Sequence, residues 1–97
     1  MIDAVIATLR KGWCKKLAAV NAYGDQVDAR DPNACAWCLV GAVKATLDFR
    51  DGYNLLHALD ELIKPEFECL AYFNDACNNV DEVILFLEMA SCRLNLS

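Results

Sequence analysis

Residues 79–94, Asn79-Val80-Asp81-Glu82-Val83-Ile84-Leu85-Phe86-Leu87-Glu88-Met89-Ala90-Ser91-Cys92-Arg93-Leu94, carry both a helix start signal and a helical period. An asparagine side chain accepts one of the amide protons that the first helical turn leaves without a partner, and a Glu three residues later completes a capping box. Val83, Ile84, Phe86, Leu87, Ala90 and Leu94 then recur at steps of three and four, the spacing of one buried stripe. A helix is expected over 80–94.

Working back from it, Leu55, Leu56, Leu59, Leu62 and Ile63 repeat the same period, after the break at Asp48-Phe49-Arg50-Asp51-Gly52 and before Pro65. They predict a helix over 53–63. Between the two lies Phe67 to Phe73, apolar but too short to show a period, which reads as a short helical or irregular piece around 66–74, a short helix being favoured over an extended segment. Upstream, Asp31-Pro32 is a start signal: the carboxylate caps, and proline has its dihedral preset for the first helical position. A helix over 32–47 is expected there, running through Cys35, Cys38, Leu39, Ala42 and Val43. Ile2, Val5, Ile6, Leu9, Trp13, Leu17 and Val20 predict a first helix over 2–20, with Arg10, Lys11, Lys15 and Lys16 toward solvent, ending in the turn residues that open a loop over 21–31. The expected fold is therefore an all-α single domain, a bundle of four main helices with a short fifth segment.

Composition narrows the function classes. Ninety-seven residues hold one core, and 57% hydrophobic residues with only four Gly and two Pro describe a packed globule. A net charge of −5 argues against a protein that grips duplex nucleic acid by neutralising phosphates. No apolar run reaches the roughly 18–20 residues of a membrane span, and the N-terminus lacks the basic-then-apolar pattern of a signal peptide, so a cytosolic protein is expected, with no membrane partner. The charge is uneven. Residues 1–50 carry seven basic and five acidic groups, a net +2, whereas 51–97 carry two and nine, a net −7. An acidic half of this kind suits a basic partner surface.

Six cysteines (14, 35, 38, 69, 77 and 92) stand in apolar, helix-forming surroundings, so they read as free thiols packed as small hydrophobes. Cys35-x-x-Cys38, expected on one helical face, supplies half of a zinc set, but the remaining candidates Cys14, Cys77 and His57 are scattered, and no metal or other cofactor is predicted. Asp25, Asp28 and Asp31 resemble a cation loop only in spacing, lacking its central Gly and terminal Glu. Capping by Asp31 and an Asx turn at Asp28 account for two of them. With His57 alone and no nucleophile–base pair or phosphate loop, no catalytic residue is assigned.

At Gly12-Trp13-Cys14, Asp28-Ala29-Arg30-Asp31-Pro32, Trp37-Cys38-Leu39-Val40-Gly41-Ala42-Val43, Phe73-Asn74-Asp75 and Glu82-Val83, the chain resembles a family of small uncharacterised bacterial and bacteriophage proteins. It departs from that pattern in having Phe73 where a Trp is expected and Cys77-Asn78-Asn79 where a Gly-containing turn is expected. The resemblance implies a small helical domain and supplies no activity. Trp13, Cys14, Asp28, Asp31, Trp37, Cys38, Asn74 and Asp75 are the candidate motif residues. The two indoles are expected to pack where helices one and two meet. Asn74-Asp75 reads first as a turn before the last helix, and second as a polar pair opening onto a pocket rimmed by Asp28, Trp37 and Tyr72. Two functions follow as expectations. The favoured one is an acidic protein-interaction module, of the kind a phage or mobile-element accessory protein provides. The other is a small-ligand or metal-binding protein built on the Trp-Cys helices with Asp28 and Asn74-Asp75. Apolar surface that a small chain cannot enclose also predicts a homodimer, with helix one or the last helix at the seam.

Overall fold

The computed structural model describes residues 1–94. Five helices surround one core: α1 (Ile2–Lys11), α2 (Leu39–Thr46), α3 (Phe49–Ile63), α4 (Leu70–Ala76) and α5 (Val80–Arg93). Two short strands, β1 (Ala19–Val20) and β2 (Ala36–Trp37), pair antiparallel, with Ala19 opposite Trp37 and Val20 opposite Ala36. The chain is thus mostly helical but not all-α, and the short piece expected around 66–74 is a helix, α4, displaced to 70–76.

α5 forms as its sequence predicts. Asn79 Oδ1 accepts the Glu82 amide at 3.1 Å, while the Glu82 carboxylate takes the amide of Asn78, one residue outside the usual reciprocal partner. Val83, Phe86, Leu87 and Ala90 are buried in one core with Val5 and Leu9 of α1, Leu39, Ala42 and Val43 of α2, and Leu55 and Leu59 of α3, and α5 packs on α1. The short α2 sits centrally, packed against α1, α3 and α4. Phe73 of α4 meets Phe86 at 4.6 Å and Phe67 at 5.5 Å between ring centroids, closing one end of the core with aromatic contacts.

Among the main helices three expected boundaries move. The first helix stops at Lys11, nine residues short of Val20, because Gly12–Cys14 pair with β2: the Trp37 amide donates to the Gly12 carbonyl and the Cys14 amide to the Trp37 carbonyl, each at 3.1 Å. The second helix starts at Leu39, not at Pro32. Asp31 spends its carboxylate on the Asn33 amide in a local turn, and Cys38 occupies the N-cap position, its sulfur accepting the Gly41 amide. Cys35 consequently lies outside any helix, exposed, with its amide on the Val20 carbonyl, so Cys35 and Cys38 do not share a helical face. The third helix begins four residues early, at Phe49, because Asp48 caps it through the Asp51 amide at 2.7 Å.

Two glycines permit the close approach of strand segments to helices. A Cβ on Gly41 would lie 1.8 Å from the Ala18 carbonyl oxygen, and one on Gly12 would lie 2.1 Å from that of Cys35. Both neighbours are backbone and cannot step aside as a side chain would. Gly52, inside α3, differs: an added methyl would meet Val43 Cγ1 at 3.6 Å, an ordinary contact. Chemical denaturation should therefore show Gly41→Ala losing about 3 kcal/mol or more by overpacking, while Gly52→Ala gains about 0.5–1 kcal/mol from helix propensity. Equal effects at the two positions would refute this packing.

Candidate functional site

The residues singled out in the sequence divide between a buried knot and a surface groove. The knot centres on Asn74 of α4, which is 0% exposed. Its Oδ1 accepts the Trp13 indole N–H at 2.7 Å and the Leu39 amide at 3.0 Å. Its Nδ2 donates to the Cys14 carbonyl at 3.1 Å and to Asp75 Oδ1 at 3.3 Å. A carboxamide offers two acceptor and two donor positions, and all four are occupied. Leu39 is the first residue of α2, so Asn74 satisfies one of the amides that a helix N-terminus leaves over. Asp75 Oδ1 also accepts the amide of Lys16, whose φ of 73° puts it in the left-handed region.

Trp13, Cys14, Cys38, Asn74 and Asp75 are thus brought together. Trp37 stands at the edge of this group: its backbone pairs with 12–14, but its indole donates to the Ala29 carbonyl at 2.9 Å and holds the 21–31 loop against the sheet. The thiols in the knot are held protonated. Burial, with smaller contributions from Cys38, Asp75 and Cys35, pushes Cys14 up from 9.0 to about 11. Burial also raises Cys38 and Cys77, the former against the opposing pull of the amides at its sulfur. Cys14 donates its thiol proton to the Leu17 carbonyl at 3.3 Å. A thiol held protonated is a weak nucleophile and a weak metal ligand at neutral pH.

Asp28 and Asp31 lie apart from the knot. Asp28 accepts the Arg30 amide in an Asx turn, as its sequence context predicts, and Asp25 takes no part with them: its backbone pairs with Asn21. Among the described residues no three His, Cys, Asp or Glu side chains converge as metal ligands do. The large groove beside Asp28 does not have Asn74, Asp75, Trp37 or Tyr72 in its walls.

That groove, about 1050 Å³, runs between residues 26–30 and the α2–α3 junction. Val27, Leu47 and Leu56 give it apolar walls, and Phe49 and Tyr53, one helical turn apart on α3, stand 90% and 65% exposed beside it. Arg30 fixes its geometry by donating from Nε to the Lys44 carbonyl at 2.9 Å and from Nη2 to the Leu47 carbonyl, closing the C-terminal end of α2. Phe49, Tyr53 and Lys44 carry no motif in the sequence, and Arg30 stands in the Asp28–Pro32 motif without being a candidate residue. The available signal was two aromatics four apart that fall off the Leu55/Leu59/Ile63 stripe. His57 stacks on Tyr53 with ring centroids 6.4 Å apart and is exposed on α3.

Asn74→Ala should lower stability by about 2–4 kcal/mol, since it strands the Trp13 indole N–H, the Leu39 amide and the Cys14 carbonyl; chemical denaturation followed by Trp fluorescence reads the loss, and a change under 1 kcal/mol would contradict the knot. Native-state labelling with a thiol reagent at pH 8 should modify exposed Cys35 and Cys92 promptly, and Cys14, Cys38 and Cys77 only on unfolding. The raised Cys14 pKa has a definite sign. Its contribution is whole below pH 9.0 and lost as pH rises toward about 11, so stability should fall across that window, and less steeply in Cys14→Ala.

No curated protein and no solved structure matches the chain. A family model does, over residues 2–93, which includes every residue of the knot and of the groove walls. The chain belongs to the family of unknown function DUF6197.

Proposed function

We propose that the chain is a cytosolic, acidic protein-interaction module whose docking element is the outer face of α5. The observation that supports this reading is that α5 has two apolar faces. One is buried in the core through Val83, Ile84, Phe86, Leu87 and Ala90. The other carries Leu85 and Met89, one turn apart and 67% and 45% exposed, with exposed Cys92 continuing the line. Exposed Asp81 and Glu88 border that line, within a half of the chain whose net charge is −7. An apolar stripe bordered by carboxylates fits an amphipathic helix whose apolar face is edged with Lys and Arg.

A small-ligand site at the Trp-Cys motifs has less support, because the polar atoms of Trp13 and Asn74 are spent on one another and on backbone. A second copy of the chain is the rival occupant of the stripe, and light scattering at micromolar concentration separates it by mass.

With the whole chain as bait in its native lysate, a specific partner should be retained by the wild type and released as salt rises, weakening about tenfold between low and near-molar salt. The double variant Leu85→Ser/Met89→Ser should lose it while keeping wild-type stability to within about 0.5 kcal/mol, as expected for exposed positions. A partner indifferent to both salt and the double variant would refute the reading.

A further inference from the structure

The groove at the α2–α3 junction shares no residue with the α5 stripe and has its own chemistry. One wall is the 26–30 segment, which meets β1 through a single bridge at Gln26. Val27 donates its amide to Ala19, and Asn21 donates its amide to Asp25, so Gln26 opposes Val20 in an antiparallel bridge. In such a pair the flanking residues make the bonds, which leaves the Gln26 amide and carbonyl on the side away from β1. Among the described residues neither has a backbone or side-chain partner in this sheet. This free amide and carbonyl can pair with one residue of another extended chain, as at the open edge of a strand. The facing wall presents Phe49 and Tyr53, which can receive side chains projecting from such a chain.

The charges add a second constraint. Arg30 and Lys44 both line the groove, and the Arg30 guanidinium bonds only to carbonyls. The ion pairs among the described residues are those of Lys64 with Asp60 and Glu61, so neither groove cation is matched by a carboxylate. The two carboxylates in the walls, Asp28 and Asp48, are turned to backbone amides of Arg30 and Asp51. The geometry points to a binding site for an extended peptide segment of a partner protein, which pairs with the Gln26 edge, seats apolar side chains against Phe49 and Tyr53, and sets an Asp or Glu carboxylate between Arg30 and Lys44.

The test is selection of short random peptides displayed on a carrier against the whole chain, followed by synthesis of the enriched sequences. Enriched peptides are expected to alternate apolar and other residues and to carry at least one Asp or Glu. Their binding should protect the Gln26 amide from hydrogen exchange. It should weaken about tenfold or more in Phe49→Ser and in Lys44→Glu, two exposed positions whose replacement leaves the core intact, and stay unchanged in Leu85→Ser. Failure to enrich any peptide, enrichment of basic or helix-forming sequences, or binding lost in Leu85→Ser and kept in Phe49→Ser would each overturn the proposal. The last outcome would assign the peptides to α5 instead, leaving that reading standing while this one fails.

Discussion

One buried carboxamide sets the geometry on which the other elements depend. Asn74 reaches Trp13 and Cys14 across about sixty residues of chain, and Leu39 across thirty-five. Each bond is modest by itself, near 1 kcal/mol net. The cost of leaving any of these buried groups unmade is larger, roughly 1–3 kcal/mol each. The knot therefore acts more as a constraint than as a source of stability: arrangements of α1, α2 and α4 that do not fill all four positions are penalised. Asp75 extends the constraint by holding the Lys16 amide, and with it the backbone reversal that carries the chain from α1 into β1.

That constraint explains how an eight-residue helix can occupy the centre of the fold. A helix this short leaves most of its end groups unsatisfied by its own ladder, so its stability has to come from elsewhere. At the N-terminus the amides of Leu39 and Gly41 go to Asn74 and Cys38. At the C-terminus the Lys44 and Leu47 carbonyls go to Arg30. The second of these has a functional consequence. By fastening residue 30 to the end of α2, it stands the 26–30 segment beside the first turn of α3, and the space between them is the groove. The Trp37 indole on the Ala29 carbonyl secures the same loop from the sheet side. The loop motif Asp28–Pro32 thus shapes a surface while its carboxylates act locally, as turn formers.

The parts of this architecture that are local in sequence were legible there. α5 announces itself through Asn79, Glu82 and an unbroken apolar stripe, and α3 through its leucines, because capping and periodicity need no distant residue. The helical period overruns the first helix, α1, for the complementary reason. Trp13, Leu17 and Val20 continue the helical spacing, yet what stops the helix is the backbone pairing of Gly12 and Cys14 with Trp37, more than twenty positions away and invisible to any window. Asp31-Pro32 misled because an aspartate that caps a helix and one that closes an Asx turn offer the same carboxylate to an amide two or three residues on. The grouping of the motif residues was not legible: Asn74 is a buried residue of α4 bonded to Trp13, Cys14 and Leu39, not a turn before the last helix. A tryptophan indole needs an acceptor when buried, and sequence alone names the donor without naming its partner.

Hydrogen exchange of two protons tests the central role of Asn74 most directly: the Trp13 indole N–H and the Leu39 amide, followed by NMR in the native protein. If the carboxamide holds the elements together, both protons exchange only through global unfolding, with the same opening free energy as the core amides of α5, and their protection falls together in Asn74→Ala. Fast exchange of either proton through local opening, with the α5 core still fully protected, would contradict the account and make the knot a passenger of the helical packing.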